Sequence, residues 1–213
     1  VTVCQVGEGA DELFLGYQAW KDKWKLEKLN RLPVPNFCKK LGLWLLEKKG
    51  WDEKFHHEIL RRGTENQPLF WGGVDVFTDH HKKRLLSNRL QKKYVDRTSW
   101  EVIEPIYEKF QSNAQDKSVL SWMSYMDLRF RLPELLLMRL DKMCMGVSLE
   151  GRVPFLDHHF VQYVMGLDEK TKFDGKVLKF LLKKVVTGLI PDSIIHRPKQ
   201  GFGMPYMNGF LKN

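Results

Sequence analysis

Gly7-Glu8-Gly9-Ala10-Asp11-Glu12-Leu13-Phe14-Leu15-Gly16-Tyr17 turns a strand into a helix through a glycine loop rich in carboxylates. Before it, Val1-Thr2-Val3-Cys4-Gln5-Val6 is β-branched and almost wholly apolar, the composition of a buried, central parallel strand. After it, Leu13, Phe14 and Tyr17 recur at helical spacing. Gly7 and Gly9 allow a sharp turn and close approach of the backbone to a ligand. Junctions of this kind hold phosphates in open α/β sheets. Glu8, Asp11 and Glu12 repel bare phosphate, so beside a phosphate chain they imply Mg²⁺ in between. The spacing equally fits a glycine turn in which Asp11 or Glu12 caps the following helix.

The 213 residues are enough for one full domain with an appendage, and 43% hydrophobic content is that of a globular protein. No apolar run approaches a membrane span and no signal peptide opens the chain, so a cytoplasmic protein without a membrane partner is expected. Cys4, Cys38 and Cys144 lack metal-ligand spacing and read as reduced core thiols. The chain begins on Val inside a strand, and Phe210-Leu211-Lys212-Asn213 opens a new amphipathic segment, so a piece of a longer protein is expected. The formal net charge of +9 is dispersed over helix faces, as in Lys21, Lys23, Lys25 and Lys28, which argues against a nucleic-acid partner. The seven tryptophans sit singly among aliphatic residues and read as core.

Beyond the glycine loop the chain reads as helix after helix. Pro33 and Pro35 open one that runs to about Gly50, with Phe37, Leu41, Trp44 and Leu45 on one face. Asp52 caps a second, with Phe55 and Ile59 inward and Gly63 closing it. Thr78 or Asp79 starts a basic helix, Ser99 precedes another, and a further one runs from about Asp116 towards Arg131. Pro133 starts the most apolar helix, which Gly146 ends; Asp157 starts a short one, and Gly175 precedes a helix over 176–186. The histidines His56-His57, His80-His81, His158-His159 and His196 have no zinc spacing and read as surface or rim residues.

Two further clusters bear on chemistry. Asp141 has Leu137 and Met138 one turn before it and Cys144 and Met145 one turn after, so the spacing predicts an inward carboxylate. Such a group needs a cation, a donor or its own proton; a structural pair with Arg152 and a functional role both meet that need. In His196-Arg197-Pro198-Lys199-Gln200-Gly201-Phe202-Gly203-Met204-Pro205, proline and glycines set a non-helical loop around Lys199. It reads either as a basic surface loop or as a lysine that delivers charge to a phosphate leaving group.

Together with Arg139-Leu140-Asp141-Lys142-Met143 and Ser148-Leu149-Glu150-Gly151-Arg152-Val153-Pro154-Phe155-Leu156-Asp157, these motifs resemble, in order, the synthetase domain of glutamine-hydrolysing asparagine synthetases. The resemblance covers essentially the whole chain, with residues 1–213 as the C-terminal part of that domain. It implies an α/β fold of the ATP-pyrophosphatase type (adenine nucleotide α-hydrolase-like), of which this chain would be the mainly helical part with one buried parallel strand. It implies, too, that Mg-ATP activates a carboxylate, aspartate above all, as an acyl-adenylate, and that ammonia from a glutaminase domain on the same longer chain attacks it to give asparagine.

By the same resemblance, Asp11 matches the aspartate that helps hold Mg²⁺ and pyrophosphate, with Gly7 and Gly9 forming the loop. Glu8 matches the glutamate at the acyl centre, where removal of a proton from the attacking nitrogen falls to it. Lys199 matches a lysine that stabilises the phosphoryl charge, and Asp141 a carboxylate lining the pocket. Tyr17 and Gly16 read as loop support, and Arg152 to Asp157 as a packing turn. The family's Ser-Gly-Gly-x-Asp-Ser phosphate loop and N-terminal nucleophilic cysteine are absent from these residues. The chain alone is therefore expected neither to hydrolyse glutamine nor to bind ATP tightly. Val6 stands where many asparagine synthetases carry serine, which leaves open a relative that amidates a peptide or cell-surface saccharide carboxylate. A non-catalytic basic helical module and a homodimeric assembly are also left open.

Overall fold

The structure is a computed structural model that describes residues 2–52, 54–73 and 77–198. It divides into two units, Val1–Phe180 and Leu181–Asn213. In the first, β1 (Val3–Gln5) leads through the glycine loop to α1 (Ala10–Leu13), α2 (Gln18–Asn30), α3 (Asn36–Lys48), α4 (Phe55–Thr64), α5 (Asp79–Leu85), α6 (Asn88–Lys93) and α7 (Trp100–Asn113). Next come α8 (Val119–Met126), a π-helical stretch (Asp127–Leu137), α9 (Met138–Met145), β2 (Glu150–Arg152), a 3₁₀ turn (Pro154–Leu156), α10 (His158–Gly166) and α11 (Glu169–Lys172). The second unit holds most of α12 (Phe180–Val186) and all of α13 (Asp192–Ile195), whose Ile195 is buried.

Several starts follow the sequence logic. Thr78 accepts from the His81 N–H and the His81 ring returns the contact, a capping box at the head of α5. Asp157 accepts from the N–H groups of His159 and Phe160 at the head of α10. Three expectations are corrected. The strand is parallel but not buried, since Val3 and Gln5 are exposed and Cys4 is half-buried. Its partner, β2, pairs Val3 with Glu150, Cys4 with Gly151 and Gln5 with Arg152. A three-residue strand made of Glu, Gly and Arg carries no β-propensity to announce it. Pro133, finally, starts no helix: α8, the π stretch and α9 run on without a break. A proline inside an α-helix removes one N–H and clashes with the carbonyl four residues back. The wider π register is where this chain accommodates it.

The core of the first unit is aromatic. Leu15, Trp20, Phe70, Phe110, Leu120, Trp122, Met123 and Phe173 cluster there, all nearly inaccessible. Trp20 meets Phe70 edge-on at 5.4 Å, and the Trp122 Nε1–H donates to the Phe70 carbonyl at 2.8 Å. A buried indole N–H needs such a partner. Beside this core, Glu58 and Arg62 are both buried; Arg62 Nε donates to Glu58 Oε1 at 2.8 Å, while its guanidinium lies 3.7 Å from the Trp71 ring centre.

On α3 the apolar stripe points outward. Phe37, Leu41, Trp44 and Leu45 are 46–70% exposed. The half-buried face is instead Lys39, Gly42, Leu43 and Leu46, and a side chain at Gly42 would come within 3.0 Å of Leu60 on α4. Cys38, on the same helix, is exposed and so is not a core thiol. His57 departs in the other direction: it is buried, and its Nε2 lies 3.2 Å from Glu47 Oε1.

Candidate functional site

Gly9 opens α1 at φ 91°, a backbone state that favours glycine, and a Cβ there would collide with the Leu156 side chain. Neither Asp11 nor Glu12 caps this helix, since no side-chain cap bond is made at its start. The parallel pairing explains what lies alongside. Val6 N–H donates to the Arg152 carbonyl at 2.8 Å, so the chain leaves both strands in the same direction. The glycine loop and the Pro154–Leu156 turn therefore stand together, and Phe14, Phe155 and Phe160 pack edge-on or tilted at 5.9–6.4 Å. The packing role of the Arg152–Asp157 segment is thus realised.

The three carboxylates of the loop diverge. Glu12 is fully buried and accepts from the Tyr17 hydroxyl at 2.6 Å. Burial pushes its carboxyl above the ordinary glutamate range, opposed by the Tyr17 bond; the same burial, reinforced by Glu12, pushes the Tyr17 hydroxyl up. Arg131 lies 4.3 Å from the Tyr17 ring centre and bonds Asp127 at 3.2 Å. Asp127 is itself fully buried and accepts the Gly73 N–H at 2.7 Å; burial raises its carboxyl against those two partners. Tyr17 is therefore loop support, as its place in the motif suggests.

Asp11 faces the other way. Its side chain is partly exposed, and Lys179 Nζ stands 2.6 Å from its Oδ1. Gly16 makes room for that pair, since a Cβ there would fall on Asp11 Oδ1 and within 2.7 Å of Lys179 Cε. Lys179 is held by its backbone, whose N–H donates to the Phe14 carbonyl at 3.1 Å, at a residue with φ 55°. Glu8 is half-buried, and among the described residues no hydrogen bond holds its carboxylate.

The loop thus presents two carboxylates and a lysine, and the third carboxylate braces it from inside. Lys179, Asp127 and Arg131 are site residues that sequence reasoning missed. The four-residue spacing of Asp127 and Arg131 was a readable signal; nothing local marks Lys179.

Asp141 is corrected. It is exposed, and among the described residues it makes no hydrogen bond or ion pair. Arg152, its proposed partner, bonds Glu150 at 2.8 Å instead. The face of α9 that packs is Leu140 and Cys144, both within 3.7 Å of a Cβ built on Gly151 of β2. Asp141 sits to one side of that line, near the exposed Met138 and Met145. Lys199 and the loop after it lie outside the described residues.

Among the described residues no three His, Cys, Asp or Glu side chains meet to hold a metal. Mg²⁺ is ordinarily bound through one or two carboxylates and substrate phosphates, so the partly exposed Asp11, with Glu8 three positions before it in the chain, is a donor set that fits it. No described helix is long and apolar enough to cross a membrane.

The buried Glu12 gives a pH signature. Its folded carboxyl titrates above the unfolded value, so the native state holds the proton longer and stability falls as pH rises from about 4.5 through the folded value. Within that window one proton contributes a slope of up to about 1.4 kcal/mol per pH unit. Glu12→Gln keeps an acceptor for Tyr17 and should flatten this part of the curve. Urea unfolding of both proteins across the acid range checks it; parallel curves would show that Glu12 is not the responsible group.

The asparagine synthase family model matches residues 1–213. Glutamine-hydrolyzing asparagine synthetase 1 of Bacillus subtilis (strain 168) is 32% identical over 216 residues, covering 100% of this chain and 32% of that protein. Glutamine-hydrolyzing asparagine synthetase 3 of the same organism is 43% identical over 67 residues, 32% of this chain and 11% of that protein. Glutamine-hydrolyzing asparagine synthetase 1 of Saccharomyces cerevisiae is 35% identical over 77 residues, 30% of this chain and 14% of that protein. The chain spans about a third of the length of the Bacillus relative it matches throughout. No solved structure matches. The match from end to end, on a chain whose glycine loop is built as described, places this protein in the asparagine synthase family.

Proposed function

We propose that this chain works within a longer polypeptide as the ATP-dependent, amide-forming part of a glutamine-hydrolysing asparagine synthetase. The observation that carries this reading is the divergence of the loop: Glu12 braces it from within, while Asp11, paired with Lys179, and Glu8 are both partly exposed. Asp11, with Glu8 close in sequence, would hold Mg²⁺ against the phosphates of ATP. A divalent ion there supplies charge neutralisation to the departing pyrophosphate. Lys179 adds a cation on the same side as Asp11, and Lys199 is proposed to add a second. Once the substrate carboxylate carries AMP, ammonia attacks its carbonyl carbon, AMP leaves, and Glu8 takes the proton from the attacking nitrogen. Aspartate is the acceptor this reading favours; the apolar Val6 side chain keeps another carboxylate in view.

In the complete polypeptide, Glu8→Gln and Asp11→Asn should each lower aspartate-dependent asparagine formation by about 10²–10³-fold. Asp11→Asn should lower pyrophosphate release in parallel. Initial rates of both products settle the matter. Near-normal turnover in both variants would show that neither carboxylate takes part in the chemistry.

A further inference from the structure

We propose that a cavity of about 560 Å³ between α2, α3 and α7, lined by none of the glycine-loop residues, is a second binding site and that it takes a free α-amino acid. Glu27 and Gln67 line it together with three cations, Arg31, Lys39 and Lys117. Glu27 is buried, and its Oε2 is committed to the Leu69 N–H at 2.7 Å. Its Oε1 has only Arg31 Nε nearby, at 3.8 Å, too far for a hydrogen bond. Gln67 is 8% exposed; its Nε2 donates to Glu65 Oε2 at 2.7 Å, which fixes the amide orientation and leaves Oε1 without a donor. On the other side stand the Arg31 guanidinium, half exposed, and Lys117, which among the described residues has no ion-pair partner. Lys39 also lines the cavity, but its ammonium is spent on the Asn30 carbonyl, Asn30 Oδ1 and the Gly63 carbonyl.

This inventory selects the ligand class. A plain anion satisfies Arg31 and Lys117 but leaves Glu27 Oε1 without a donor, which forfeits a hydrogen bond there. A plain amine satisfies that oxygen but meets three cations against one carboxylate. A zwitterion answers both, its carboxylate on Arg31 and Lys117 and its ammonium on Glu27 Oε1. The inference stands on this cavity and does not rest on the proposed amide chemistry.

Calorimetric titration of the complete polypeptide with L-asparagine, acetate, methylammonium and inorganic phosphate tests it. L-Asparagine should bind saturably and about tenfold or more tightly than the other three. Glu27→Gln and Arg31→Ala should each weaken it about tenfold. Arg31 is exposed enough that its loss leaves the fold intact, so that variant stays informative if Glu27→Gln proves unstable. The proposal is overturned if acetate or phosphate binds as well as L-asparagine, if Arg31→Ala binds like the parent, or if no saturation occurs up to roughly 10 mM.

Discussion

Gly16→Ala in the complete polypeptide should cut asparagine formation by about 10²-fold while moving the melting temperature by only a few degrees. A methyl group at position 16 lands on Asp11 Oδ1, 2.6 Å from Asp11 Cγ and 2.7 Å from Lys179 Cε. All three atoms belong to side chains that can swing away, so the backbone need not yield. Gly16 also lies outside the left-handed region, so alanine adds no backbone strain. What must give is the 2.6 Å contact between Lys179 and Asp11, the element proposed to receive metal and phosphate. Displacements of about 1 Å at a reacting centre are enough for losses of this size. Thermal unfolding and initial rates on the same preparation separate the outcomes. Equal rates would show that Asp11 has no part in the chemistry, and a collapse in stability would show that the methyl group displaces the backbone instead.

Trp122→Ala should cost about 4 kcal/mol, a large share of the 5–15 kcal/mol that holds a typical domain together. Trp122 is 3% exposed and touches Tyr107, Phe110 and Tyr125 at ring separations of 5.0–6.1 Å. Removing the indole opens a cavity between α7 and α8 and also strips the Phe70 carbonyl of its donor. Trp122→Phe isolates the second effect: it keeps a ring and loses the hydrogen bond, and should cost roughly 1–2 kcal/mol beyond any repacking. Denaturant midpoints for the two variants check both figures. Equal costs would mean that the hydrogen bond, not the volume, dominates.

The candidate site was announced by the order of three motifs along the chain, since the glycine loop alone fitted a capped turn equally well. Which carboxylate does what was not legible. Glu8, Asp11 and Glu12 fall within five positions, and only the return of Tyr17 and the approach of Arg131 separate the inward one from the outward ones. Lys179 reaches Asp11 from 168 positions away through a backbone anchored on Phe14, and no local pattern encodes that. Asp141 misled because apolar neighbours on a helix predict burial only where another element covers them, and β2 covers the Leu140–Cys144 line alone. Pro133 misled for a related reason: a proline that ends an α-helix is tolerated inside a π register. Helix caps at Thr78 and Asp157 were readable because a cap is a contact between residues two or three apart.

The outward stripe of α3 gives the molecule an optical consequence. Trp44 and Trp51 are 47% and 44% exposed, each with a lysine ammonium poised within 4.2 Å of its ring centre, whereas Trp20 and Trp122 are sealed inside. Emission from this chain should therefore separate into two populations, one quenched readily by iodide drawn in by those lysines and one almost blind to it. A molecule covering α3 would shield Trp44 from iodide and leave the second population untouched.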